Sequence, residues 1–139
     1  MLRFLFDTDH LTLYDYGHIQ VRWRFHAAPP GEVGLSAVTI QEHLRGRMAA
    51  LARHSSGARQ VQAYANLLAS LQLFQQFPPA AYDQRGEAQF QQLRAQRLRI
   101  GTQDLKIASV ALVNNLVLLT RNRRDFAKVP GLSLDDWSL

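Results

Sequence analysis

The sequence predicts an α/β domain of three layers, α/β/α, with helices on both sides of a central, mainly parallel sheet of about four or five strands. Three observations carry this expectation. Short apolar runs rich in strand formers alternate along the chain with longer stretches whose apolar residues recur every three or four positions, the two periods of strand and helix. One run, Leu116-Val117-Leu118-Leu119, is apolar without alternation, as a central strand buried on both faces requires. The 139 residues, 47% of them hydrophobic, suffice for one core and not for two, so residues 1–139 read as a single domain without repeats or linkers.

Residues 2–6 form the first strand, and Thr8 or Asp9 is placed to cap a helix behind it. A helix over 18–27 is stopped by Pro29-Pro30-Gly31, and residues 33–36 make the second strand. Ile40, Leu44, Met48 and Leu51 then share one helical face until Ser55-Ser56-Gly57 breaks the helix. The next helix runs from 58 into the region of 70, with Val61, Tyr64, Leu68 and Leu71 at helical spacing, and residues 73–77 read as a strand closed by Pro78-Pro79. A helical pattern returns over 80–98, where Gly86 is awkward in the interior, and Arg99-Ile100-Gly101 ends it. Asp104 opens an amphipathic helix to 114 with Leu105, Ala108 and Leu112 on one side; the strand 116–119 follows, and Pro130-Gly131 leads to a last strand near 132–134.

Composition removes several chemistries. Without cysteine there is no disulfide, no thiolate metal site and no Cys nucleophile. The five His show no His-x-x-x-His spacing, which argues against a zinc site. No apolar run approaches the roughly 20 residues that span a bilayer, and no basic segment followed by a long apolar one opens the chain; the expected location is the cytoplasm, without membrane contact. Sixteen Lys and Arg against eleven Asp and Glu give a net charge of +5, which favours a polyanionic partner such as nucleic acid. Half of the basic residues fall between positions 94 and 128, where Asp104 and Asp125 are the only acids. An acidic pair inside a basic field suits a metal site that also admits phosphate.

Four acids stand at telling points: Asp7 at the end of the first strand, Glu42 early in the helix after the second, Asp104 in a first helical turn, and Asp125 shortly after strand 116–119. Ligands of parallel sheets bind beyond the carboxyl ends of the strands, so the four can converge. Carboxylates forced together repel one another and call for a divalent cation. Mg2+ or Mn2+ suits such oxygens and would support phosphodiester hydrolysis, with a basic rim for the remaining phosphates. Plainer roles stay open at this point: Asp7 as a helix cap, Glu42 as a solvated residue, Asp104 as a helix-dipole partner, Asp125 as one charge among many, Asp9 as a cap. Asn122 is placed to cap a helix or to hold a water, and Trp23 and Trp137 read as core or edge packing.

At these residues the chain resembles a family. FLFDTDHLTLY is similar to the opening of PIN-domain nucleases, more narrowly of VapC-type toxins; SAVTIQEHLRG, IGTQDLKIASVAL and LVLLTRNRRDFAKVPGLSLDDW resemble their later motifs in the same order, over nearly the whole chain. The resemblance implies a PIN fold and an Mg2+- or Mn2+-dependent endoribonuclease toxin, homodimeric, neutralised by a cognate VapB-type antitoxin. It implies metal-binding and catalytic roles for Asp7, Glu42 and Asp104, with Asp125 as fourth catalytic acid and Thr120 and Asn122 as polar helpers. Arg97, Arg99, Arg121, Arg123 and Arg124 are the candidates for holding RNA. Asp9, where relatives often carry Asn, implies an extra charge that would make the ligand field more anionic. Two alternatives stand beside this. Asp7-Thr8-Asp9 also resembles the first motif of haloacid-dehalogenase-like phosphatases, with Asp7 as nucleophile, although too little chain follows Thr120 to complete that order. The other is a non-catalytic PIN-like module that binds RNA or protein.

Overall fold

Strand alternation decides how the core divides. The computed structural model describes residues 1–139. Its elements are β1 (Phe4–Phe6), α1 (Thr8–Asp15), α2 (Ile19–Ala27), β2 (Val33–Ser36), α3 (Ala37–Arg53), α4 (Gly57–Phe74), β3 (Pro79–Ala80), α5 (Gln84–Ala95), α6 (Thr102–Val113), β4 (Val117–Leu119), α7 (Arg123–Phe126) and β5 (Leu134–Asp135). Leu5 and Phe6, neighbours in β1, point to opposite faces of the sheet and are buried in different clusters. Leu5 and Leu118 pack with Phe90 and Leu93 of α5, with Leu105, Ile107, Ala108, Val110 and Ala111 of α6, and with Phe126. Phe6, Leu35 and Leu119 pack with Leu11 and Tyr14 of α1, Val21 of α2, Leu73 of α4, Phe77 and Trp137. Helices therefore cover both faces, and the expected three layers are present.

All five strands are parallel, in the order β3-β2-β1-β4-β5. β1 is the centre, with Leu5 opposite Gly34 on one side and Leu118 on the other. The chain leaves β1 for β2 and β3 on one side, then returns to place β4 and β5 on the other. The strand order thus reverses at β1 and β4, and sheets of this kind bind ligands beyond the carboxyl ends of the strands at such a point. Gly34 allows the close approach that β2 needs: a Cβ there would lie 2.7 Å from the Pro78 carbonyl oxygen and 2.7 Å from a methyl carbon of Leu2.

Several local expectations change. Residues 73–77 are not a strand: Leu73 and Phe74 close α4, and Gln76 and Phe77 donate backbone hydrogen bonds to the carbonyls of Leu73 and Phe74. Leu73 and Phe77 are both buried in one cluster because the turn places them on one side, not because the run is extended. The strand is instead Pro79–Ala80, which tolerates Pro because it lies at the sheet edge. The spaced apolar residues of α4 do not face the core: Val61, Tyr64, Leu68 and Leu71 are 51–70% exposed, while Ala63, Ser70 and Leu73 are buried. The α3–α4 hairpin closes on a polar network, in which Arg47 Nε donates to Ser70 Oγ at 2.8 Å and Arg47 Nη2 donates to Asp15 Oδ2 at 3.2 Å. Gly86 does not break a helix, since α5 begins only at Gln84 and the Asp83 side chain caps it by accepting from the Gly86 N–H at 3.0 Å. Past α5, Arg97 and Arg99 take positive φ values of 55° and 59°. The last strand is Leu134–Asp135, starting two residues later than expected. Trp137 is buried, whereas Trp23 is 67% exposed.

Candidate metal centre

Asp7 follows directly on the central strand. Its N–H donates to the Leu119 carbonyl at 3.0 Å, which carries the β1–β4 pairing one residue further and fixes the backbone. Its carboxylate Oδ1 accepts the His10 N–H at 2.7 Å, so Asp7 itself, and not Thr8 or Asp9, caps α1. The plain reading of Asp7 as a cap is thus part of the geometry. A cap uses one oxygen, however, and the carboxylate is 5% exposed, a costly place for a charge with nothing else to do. Glu42 lies on α3, which Ser36 caps by accepting from the Thr39 N–H at 3.0 Å. It is not a solvated residue on an outer face. It is half-buried, and its Oε1 accepts the Thr8 hydroxyl proton at 2.5 Å, which ties α3 to the residue after Asp7.

Asp104, in the first turn of α6, reveals the convergence. Burial pushes its carboxyl up to about 6, with further contributions from the charges of Glu42, Asp7 and Asp125, in that order. Four acids from four segments therefore share one electrostatic neighbourhood. Asp125 differs from the others. The Asn122 amide donates to its Oδ2 at 3.0 Å, and Arg124 and Lys128 each stand 3.5 Å from Oδ1, which together hold Asp125 below the ordinary carboxylate range. Asn122 also caps α7, accepting from the Asp125 N–H at 3.4 Å, and its own N–H donates to the buried Thr120 hydroxyl at 2.9 Å. Thr120, Asn122 and Asp125 form one hydrogen-bonded sequence leading out from the end of β4.

The basic residues are less unified than their sequence positions. Arg121 makes a fork with Asp9, Nε and Nη2 donating to the two carboxylate oxygens at 2.7 and 2.8 Å. That pairing is the main cause of the raised Arg121 pKa, and Asp136 and Asp7 add to it, so Arg121 stands at the edge of the acidic cluster. The Asp9 charge is offset by this fork and does not simply make the ligand field more anionic. Arg124 leans on Asp125, Arg123 lies 3.8 Å from Asp135, and Lys128 Nζ donates to the Arg99 carbonyl at 3.3 Å, tethering the α5–α6 loop beside Asp125. Arg97 and Arg99 are exposed on that loop. Lys106 and Arg94 lie against the ring of Phe90 and take no part. The basic residues between 94 and 128 therefore serve different contacts.

The donors are hard carboxylate oxygens, the chemistry that Mg2+ or Mn2+ prefers, and their mutual repulsion at Asp104 is what a divalent cation relieves. One oxygen each of Asp7 and Asp9 and a ring nitrogen of His10 also lie within 4.8 Å of one another. Asp9 is paired with Arg121 and His10 is completely buried, and no three of Asp7, Glu42, Asp104 and Asp125 bring their oxygens equally close together. The sequence reading missed Thr8 and His10. Both stood inside FDTDH, and the signal for His10 was its position three residues after Asp7, on the same side of a helix that Asp7 begins.

The PIN domain family model matches residues 10–132. The chain is 27% identical to the tRNA(fMet)-specific endonuclease VapC of Salmonella typhimurium, over 99% of both chains. Its fold is similar to that of a solved chain in DNA-bound VapBC from Salmonella typhimurium, with a TM-score of 0.78, 24% identity and 99% of each chain covered. It is similar in the same way to VapBC-1 from nontypeable Haemophilus influenzae, with a TM-score of 0.77, 22% identity and complete coverage of both chains.

Proposed function

The chain belongs to the PIN-domain family, and from that premise we propose that it is a metal-dependent endoribonuclease, the toxin of a VapBC-type toxin–antitoxin pair. The single observation that carries this reading is the setting of Asp104, whose carboxyl is pushed up to about 6 by burial first and then by the charges of Glu42, Asp7 and Asp125. Such a cluster is unfavourable by itself and becomes favourable around a divalent cation. Asp7, Glu42 and Asp104 would hold Mg2+ or Mn2+, with Asp125 as fourth acid; bound there, the cation would supply the positive charge for attack of water on a phosphodiester.

The protein's own groups do the positioning. The His10 N–H occupies Oδ1 of Asp7 and the Thr8 hydroxyl occupies Oε1 of Glu42, which leaves one oxygen of each for the cation. Asn122, steadied by Thr120, orients Asp125. Arg121 and Arg124 at the rim, with Arg123, Arg97 and Arg99 further out, would take the phosphates on either side of the scissile bond. The phosphatase alternative loses its acid/base residue, because both oxygens of Asp9 are held by Arg121. A module that only binds has no need of four mutually repelling carboxylates.

The proposed partners are the RNA substrate, a cognate VapB-type antitoxin and a second copy of the chain. Support for a protein partner comes from the exposed apolar stripe of Val61, Tyr64, Leu68 and Leu71 on α4. No helix is long and apolar enough to cross a membrane. Expression of the wild type and of Asp7→Ala in a host, with sequencing of cleaved RNA ends, tests the proposal. New RNA ends and growth arrest with the wild type alone are expected; the same ends from Asp7→Ala would refute the assigned site.

A further inference from the structure

His10 is completely buried, and its Nδ1 is the one buried side-chain nitrogen or oxygen in the chain without a hydrogen-bond partner. Its other ring nitrogen, Nε2, accepts the Trp137 N–H at 3.1 Å. An accepting Nε2 carries no proton, so the ring proton belongs on Nδ1. That Nδ1 lies 3.6 Å from Oδ1 of Asp7, the oxygen that already accepts the His10 backbone N–H. Asp136 does not compete for the proton: its Oδ1 is 3.7 Å from Nε2 and is taken up by the N–H and hydroxyl of Ser138. An oxygen of Asp9 also lies within 4.8 Å of a ring nitrogen, but both Asp9 oxygens accept from Arg121; the ring of Phe6 packs against His10 with centroids 5.7 Å apart. A buried donor thus stops short of a hydrogen bond to the proposed metal-binding carboxylate, and it is held there by the chain's last strand-and-turn segment.

We propose that His10 is a positioning residue for Asp7: its Nδ1–H closes on Oδ1 when the cation is bound, fixing the carboxylate so that Oδ2 is the oxygen offered to the metal. The inference rests on the metal-centre reading above. Trp137 and the segment around it then contribute to the site, because they set the tautomer and the orientation of the ring across the whole length of the chain. Partners behind a metal ligand act this way, and their loss weakens metal affinity about 10–100-fold.

Two substitutions separate this role from plain packing. In His10→Asn the amide nitrogen takes the place of Nδ1, keeping the donor to Asp7 and losing the acceptor for Trp137. In His10→Gln the amide oxygen takes the place of Nε2, keeping the acceptor and losing the donor. Calorimetric titration of the metal-free proteins with Mn2+ is expected to show about tenfold or greater weakening in His10→Gln and under about threefold in His10→Asn, with the larger loss of Tm in His10→Asn. Equal weakening in both, or none in either, overturns the proposal. Should either variant fail to fold, the wild type answers alone: the His10 Nδ1–H resonance is expected to persist and move downfield on addition of Mg2+. An unmoved resonance, or loss of that proton as the ring itself becomes a ligand, overturns the proposal. A wild type that binds no divalent cation takes down the metal-centre reading, and this inference with it.

Discussion

Asp104→Asn turns the burial of Asp104 and the charges around it into a measurement on the metal-free protein. The rise of the Asp104 carboxyl from 3.8 to about 6 corresponds to about 3 kcal/mol if taken in full. Asp104 is half-open to water, and screening reduces this to about 1–2 kcal/mol. The sign follows from proton linkage. The folded protein holds the Asp104 proton more tightly than the unfolded chain, so the ionised carboxylate penalises the fold. That penalty is absent below about pH 4, grows from there to about pH 6, and is complete above it. Asn has the same shape and no charge. In EDTA at pH 7.5, Asp104→Asn is therefore expected to melt about 4–8 °C above the wild type, and below about pH 4 the difference should vanish. Adding Mg2+ should raise the wild-type Tm and leave the variant nearly where it was. A variant no more stable than the wild type at pH 7.5 in EDTA would show that burial and the neighbouring acids do not penalise the ionised Asp104 carboxylate.

The remaining predictions concern single contacts. Gly86→Ala adds a Cβ that meets nothing closer than 3.7 Å, and it should raise stability in urea denaturation by about 0.5–1 kcal/mol; a loss would mean that the first turn of α5 is tighter than described. Gly34→Ala places a Cβ 2.7 Å from the rigid Pro78 carbonyl oxygen and should cost about 1–3 kcal/mol in the same assay; a neutral outcome would refute the close packing of β2. Thr8→Val removes the hydroxyl that holds Glu42 Oε1, and calorimetry with Mn2+ should show about tenfold weaker binding; unchanged affinity would remove Thr8 from the site.

The sheet was legible because its strands are apolar runs whose neighbours in space are also buried, so periodicity alone separates them from the amphipathic helices. Where one signal served two structures, the reading failed. Leu73, Phe74 and Phe77 read as an extended segment in sequence and form a turn in space, and only the proline-containing edge strand after them distinguishes the two. The α4 stripe has the period of a core-facing helix and faces outward, because the buried side of α4 is made of Ala63, Ser70 and Leu73. The acids were legible by their places at element ends and through the motifs around them. Their inequality was not: nothing in the sequence distinguishes Asp104, pushed up by burial, from Asp125, held down by Asn122. His10 and its link to Trp137 were hidden for a simpler reason, since 127 residues separate the partners.

If these carboxylates make a cation-dependent ribonuclease site, cutting needs both the cation and Asp104. RNA cleavage with the purified chain across a Mg2+ series measures this, comparing the wild type with Asp104→Asn after melting curves have shown both to be folded. The account predicts cleavage that rises with Mg2+ in the wild type, disappears in EDTA, and stays at background in Asp104→Asn at every Mg2+ concentration. Cleavage that survives EDTA, or a folded Asp104→Asn that cuts RNA as well as the wild type, would contradict it.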